Sequence, residues 1–306
     1  MKRVFMLVAA LALALSALAG AACAEEGAIQ YVENDWNFVE NAMDISGGIP
    51  ETATGGLARI RAAGVLKVAT EPYYPPQEFI DPSRQGQESY VGSDMEMARL
   101  IARHMGVTLE IVPMAFTQVL DAVADGECDL AISGLAYTPG RASRVTLSKG
   151  YYFSETGTGC GVLIRSEDAD RITGVEDLAE RNIVAQSGSI QELLTAENVK
   201  LYREFRRLAS MQDVYDALEK GTADAALVDV ENAQGYIQKN PNCGLQLLEG
   251  IWFALDDHFA GDRVACKKDD LELMYFVNGV IDELLESGQY QAWFDEYAAL
   301  AKQLED

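Results

Sequence analysis

The sequence predicts an α/β protein built as two similar lobes, each a mainly parallel sheet flanked by helices. Three features carry that expectation. Buried strand-like runs alternate with helical runs from about residue 57 onward, a glycine-centred motif occurs twice, and the second half holds a strand–helix unit of its own. Strand, helix, strand, helix, strand in one chain implies right-handed crossovers and parallel neighbours.

The first residues read as an export segment and not as part of the fold. Lys2 and Arg3 form a charged start, residues 4–18 an apolar stretch, and AGAACAEE a small-residue exit. Ala22 and Ala24 predict cleavage before Glu25. The competing reading lipidates Cys23, but Gly20 stands where such sites prefer an aliphatic residue. Residues 25–57 are polar, include the run SGGIPETATGG, and read as an N-terminal extension ending in a flexible linker. LARIRAAG then reads as a short helix closed by Gly64, and VLKVAT as a buried strand. SDMEMARLIARHMG reads as a helix, with Ser93 and Glu96 as a capping box, Met97, Ile101 and Met105 on one face, and Gly106 as the stop. His104 on that helix reads as a surface residue. VTLEIV is the next strand, residues 116–124 a helix, and DLAIS a third strand. DAVADGECDLA at 121–131 matches DALEKGTADAA at 216–226 in Asp, Ala, Gly, Asp and Ala at identical spacing. Each copy reads as a helix end, a glycine stop and a buried strand. NIVAQSGS followed by IQELLTAENV supplies the second lobe's own strand–helix unit.

Composition narrows the function classes. The 306 residues are 49% hydrophobic and 24% charged, as in an ordinary globular protein. Removing residues 1–24 takes the formal charge from −24 to −26, because that segment holds Lys2 and Arg3 and no acid. Such a surface repels nucleic acid and anionic lipid. No apolar run of ~18 residues follows the export segment, so no membrane span is expected. Cys128, Cys160, Cys243 and Cys266 match no zinc spacing, and their pairing stays open. With two histidines and no Cys/His cluster, neither a metal nor a cofactor is expected.

Ligands of open parallel sheets bind beyond the carboxyl ends of the strands. That rule selects Glu71, Pro72, Tyr73 and Tyr74 after the first strand, residues 134–141 after DLAIS, AQSGSIQ in the second lobe, and Asp229 at the end of DAALVD. Arg141 suits bidentate grip of a carboxylate. Asp229 suits an ammonium, Tyr74 offers a flat apolar face, and Ser189 opens a helix whose N–H groups suit an anion. Each has a plainer reading: Arg141 as a surface ion-pair residue, Asp229 and Ser189 as helix caps, the tyrosines as turn packing. Their convergence at the strand ends of two matched lobes favours a site for a zwitterion, and an α-amino acid is the commonest small one.

The set GVLKVATEPYYPP, GSDMEMARLIARHMG, DGECDLAISGLAYTPGRASRVTLSKGYY, VAQSGSIQE, GTADAALVD and VNGVIDELLESGQYQAWFDEY resembles the bacterial extracellular solute-binding proteins of family 3, from about Leu57 to Tyr297. The resemblance implies the type II periplasmic-binding-protein fold. It gives Arg141 the ligand α-carboxylate, Asp229 the α-ammonium, Tyr74 a stack on the side chain and Glu71 its tip. Gly134 and Ala136 would supply backbone groups, and Ser189 a hydroxyl. Ala136 stands where Ser or Thr is common, Ile190 where a small residue often lies, and Gly150 where proline is usual, which leaves the ligand's identity open. The implied lobes are discontinuous: residues 58–154 and 259–306 form lobe 1 and residues 155–258 lobe 2, joined by two hinge crossings, the return near His258. The implied function is a secreted, monomeric binding protein that delivers an amino acid to the membrane permease of an ABC importer and is not an enzyme. The alternatives are an exported dehydratase of the cyclohexadienyl or arogenate type, or a ligand-sensing partner of a membrane receptor. Glu71 beside Tyr73 and Tyr74, with Tyr137 approaching from the next loop, predicts a polar or cationic side chain.

Overall fold

The computed structural model describes residues 38–154, 159–254 and 260–304. The export segment, Cys23, the cleavage site and His258 lie outside the described residues.

Alternating apolar residues in VLKVAT make strand β1 (Val65–Thr70) bury both of its faces. It pairs in parallel with β5 (Thr108–Pro113) and with β6 (Leu130–Ala131). On one face Leu66, Val68 and Leu130 meet helices α1 (Gly55–Ala63), α2 (Ser93–Met105), α8 (Leu271–Ser287) and α9 (Gln289–Gln303). On the other, Ala69 and Ala131 meet α3 (Phe116–Ala124). Strand β14 (Ala265–Lys267) then runs antiparallel between β6 and β7 (Val145–Leu147). These last two pairings depart from a purely parallel sheet, because β14 runs against both of its neighbours. A small antiparallel hairpin sheet, β2 (Tyr73–Tyr74), β3 (Glu78–Ile80) and β4 (Tyr90–Val91), follows β1.

The second sheet repeats the plan. Strand β9 (Asn182–Gln186) pairs in parallel with β10 (Glu204–Leu208) and β11 (Ala225–Val228). The connecting strand β8 (Gly159–Arg165) lies antiparallel to β11, β12 (Leu245–Leu247) and β13 (Phe253–Ala254). Its faces are covered by α5 (Ile190–Asn198) on one side and α6 (Met211–Glu219) and α7 (Val230–Lys239) on the other.

The duplicated motif marks the same construction twice. After α3, Ala122 O accepts the N–H groups of Glu127 and Cys128; after α6, Ala217 O accepts those of Thr222 and Ala223. Gly126 and Gly221 make the turn at φ 80° and 66°, a region that disfavours a side chain. Asp129 then accepts the Lys67 N–H at 2.9 Å, and Asp224 the Asn182 N–H at 2.8 Å. In each copy the aspartate returns its own N–H to that residue's carbonyl and pairs with an arginine, Arg59 or Arg165. The shared aspartate is therefore a clamp between neighbouring parallel strands.

Two local expectations are corrected. Ser93 and Glu96 form no capping box: Gly92 is the cap residue, with no side-chain hydrogen bond, and Ser93 Oγ donates to Tyr290 Oη at 3.0 Å. A Cβ at Gly92 would stand 2.1 Å from the Gln77 carbonyl oxygen, so this position holds glycine, and the helix begins one residue too early for the box. The capping box occurs instead at α6, between Ser210 and Asp213. Residues 38–54 are not a loose linker. Phe38 bridges Leu147, Val39 N–H donates to Leu147 O at 2.8 Å, and Asn278 Nδ2 donates to the Val39 and Asn41 carbonyls. The segment supplies partners that edge strand β7 would otherwise lack.

Among the described residues the four cysteines are free, no cluster of three metal-ligating side chains occurs, and no helix is long and apolar enough to cross a membrane.

Candidate ligand-binding cleft

Glu71, Tyr74, Gly134, Ala136, Arg141, Ser189 and Asp229 all line one cavity of about 740 Å³. They reach it because β1, β6, β9 and β11 end on the same side, each followed by a loop or helix start.

Glu71, directly after β1, is 3% exposed. Its N–H donates to Ser133 Oγ at 3.1 Å, and Gln186 Nε2, from the end of β9, donates to both carboxylate oxygens at 3.0 Å. Burial pushes its carboxyl up to about 7, against the opposing pull of the Gln186 amide. Ser133 Oγ in turn donates to the buried Glu78 at 3.0 Å. Burial and neighbouring Asp94 hold Glu78 far above the ordinary carboxyl range.

Arg141 lies in α4 (Pro139–Arg144), whose cap Thr138 accepts the Arg141 N–H at 3.1 Å. The side chain is buried, at 7% exposed. Nη1 donates to Ala136 O at 2.7 Å and Nη2 crosses to Gly188 O at 3.0 Å. The guanidinium carbon lies 5.5 Å from the Phe116 ring centroid. Arg141 forms no ion pair among the described residues. Burial draws its pKa down to about 10, with Asp262 acting the other way. The surface ion-pair reading of Arg141 therefore fails: it is a desolvated cation held by neutral carbonyls.

Asp229 caps α7, accepting the Asn232 N–H at 2.8 Å, and lines the same cavity as Tyr74. Burial raises its carboxyl to about 6. Cap and cavity residue are thus one and the same. Tyr74 lies against Gly134, where a Cβ would sit 3.5 Å from the ring, while Tyr73 turns outward at 56% exposed. Gly134 N–H donates to Asp94 Oδ2 at 3.2 Å. Ser189 behaves as the helix cap of α5: its hydroxyl accepts the Glu192 N–H at 3.2 Å and donates to Gln186 O at 2.7 Å.

Tyr137 does not approach the cleft. It is 1% exposed, edge-on to Phe38 at 5.7 Å and within 5.9 Å of the Arg263 guanidinium. Its place follows from the docked N-terminal segment. Three other residues lining the cavity, Phe116, Ser133 and Asp262, were not singled out by the strand-end rule, while Gln186 lies in the AQSGSIQ stretch it selected. Phe116 and Ser133 follow parallel strands and lay within that rule's reach. Asp262 precedes an antiparallel strand and did not.

Residues 66–299 match the family described as bacterial extracellular solute-binding proteins, family 3. The arginine-binding extracellular protein ArtP of Bacillus subtilis (strain 168) is 28% identical over 239 residues, covering 75% of this chain and 86% of that protein. The L-cystine-binding protein TcyJ of Escherichia coli (strain K12) is 25% identical over 245 residues, covering 78% and 86%. A solved structure of an amino acid ABC transporter substrate-binding protein, AbpA from Streptococcus pneumoniae Canada MDR_19A bound to L-arginine, superposes with a TM-score of 0.70 at 30% identity, over 80% of this chain and 98% of that one. A duplicated strand–helix plan, strand ends gathered on one cleft and a family match over residues 66–299 agree: the chain belongs to the bacterial extracellular solute-binding proteins of family 3.

Proposed function

We propose that this protein is the extracytoplasmic substrate-binding component of an ABC importer, and that the cleft takes an α-amino acid with a polar or cationic side chain. The observation that carries the reading is the pair Arg141 and Asp229: a buried guanidinium with no ion pair among the described residues, and a half-buried, desolvated carboxylate lining the same cavity from the other sheet. A zwitterion supplies both missing charges at once. Its carboxylate would replace the Gly188 carbonyl on Arg141, and its ammonium would meet Asp229. Glu71 then faces the side chain, and a cationic tip would favour its ionised form.

Residues 58–154 with 259–306 and residues 155–258 are proposed as the two lobes. Direct hydrogen bonds already join their strand ends, Gln186 to Glu71 and Arg141 to Gly188, which supports closure of the cleft around a ligand. Secretion with cleavage after Ala24, a monomeric state and a membrane permease as partner belong to the same proposal. We assign binding and no reaction, in line with relatives described as arginine- and cystine-binding proteins.

Competition calorimetry of arginine, lysine, glutamine, leucine and glutamate on a chain beginning at Glu25 tests the reading. Arginine or lysine should bind best and glutamate worst, because Glu71 repels an acidic tip. A clear preference for leucine or glutamate would overturn the assignment of Glu71.

A further inference from the structure

We propose that Asp262, on the segment that returns the chain from the second sheet, is a further ligand-binding residue of the cleft and a second acceptor for the ligand's ammonium. This rests on the amino-acid-binding reading above. The Asp262 N–H donates to Tyr152 O and its carbonyl accepts the Tyr151 N–H, both at 2.9 Å, so its backbone joins the two segments that cross between the sheets. Its side chain lines the cavity. Oδ2 accepts from Gln77 Nε2 at 2.8 Å. Among the described residues Oδ1 accepts no hydrogen bond and no cation lies in ion-pair contact.

The charged groups around it place it at the ligand's head. From α4 it feels Arg141, from the cap of α7 Asp229, and from the start of α2 Asp94. Glu78 on β3, the Arg263 guanidinium next in the chain, and the hydroxyls of Tyr74, Tyr151, Tyr152 and Tyr290 are the other titratable groups around it. Glu78 senses both Asp262 and Glu71, whereas Gln186 and Asp213 act on Glu71 and not on Asp262. Burial and the two aspartates raise Asp262 to about 7, with Gln77 and Arg141 opposing. Asp229 already accepts from the Asn232 N–H, whereas an ammonium has three N–H groups to place. The Asp262 Oδ1, lining the same cavity as Asp229, gives the ammonium a second anionic acceptor. Binding would then ionise Asp262 and release its proton, and the ligand's head would be held by both sheets and by the return segment.

The test titrates wild type and Asp262→Asn with L-arginine and L-glutamine at pH 7, in two buffers of different ionisation enthalpy. Asparagine keeps the shape and an oxygen for Gln77. Both ligands should lose affinity by a similar factor of about 10- to 100-fold, as for a hydrogen bond to a charged group, and proton release should fall. Glutamine isolates the head from the tip, so wild-type binding of glutamine without proton release overturns the proposal even if the variant does not fold. Unchanged affinity and proton release in the variant overturn it, and so does a loss confined to arginine, which would place Asp262 at the tip. Wild type that binds no amino acid refutes the underlying reading instead.

Discussion

Arg141→Ala should abolish amino-acid binding while the chain remains folded. Among the described residues the buried guanidinium makes no ion pair, and its side-chain hydrogen bonds go to the Ala136 and Gly188 carbonyls. A desolvated cation held only by neutral groups contributes little to the fold, as its lowered pKa shows. To a ligand carboxylate it offers a charge-assisted pair in a water-poor site, where loss of one partner typically costs ~2–5 kcal/mol. That is a fall of about 30-fold to several thousandfold in affinity. The N-cap bond from the Arg141 N–H to Thr138 is independent of the side chain, so α4 should survive. Calorimetry checks the affinity and thermal melting checks the fold. Unchanged affinity would remove Arg141 from the site.

Asp229→Asn should weaken amino-acid binding by about 30-fold or more while sparing an analogue of the same ligand that lacks the amino group. Asparagine is as good an N-cap as aspartate, so α7 keeps its start. Only the charge is removed. The pH dependence follows from the raised carboxyl. With Asp229 at about 6 in the folded chain against an ordinary 3.8, the folded state holds this proton more tightly than the unfolded state. This group's contribution to stability therefore falls as pH rises from about 4 to about 6, and the ionised carboxylate is costly above that range. An ammonium that pairs with the ionised form relieves the cost, so affinity should drop as pH falls through about 6. The Asp229→Asn variant should lose that pH dependence. Equal losses for the ligand and its deaminated analogue would mean that Asp229 serves only as a cap.

The parallel units were legible because their signals are local. Periodicity placed β1, α2 and α3, and the matched aspartates of the two motifs proved to be matched strand clamps. Once the strands were placed, the strand-end rule was enough to bring Glu71, Gly134, Ala136, Arg141, Ser189 and Asp229 to one cavity. What escaped depends on distant partners. Gly92 displaced the expected capping box because the Gln77 carbonyl packs against it. The glycine-rich N-terminal stretch resembles a linker by composition, yet Phe38 and Val39 find Leu147 more than a hundred residues away. The Ser189 hydroxyl was expected to face a ligand, but it satisfies its own loop by bonding the Gln186 carbonyl. Asp262 carried no signal, since nothing local shows that the return segment passes between Ala136 and Tyr152.

The most direct measurement is a crystal structure of the chain with the amino acid that binds it best. The ligand carboxylate should lie within ~3 Å of the Arg141 guanidinium nitrogens and the amino nitrogen within ~3 Å of an Asp229 oxygen. A ligand seated elsewhere, with Arg141 still on the Gly188 carbonyl and Asp229 bonded only to Asn232, would contradict the proposed site.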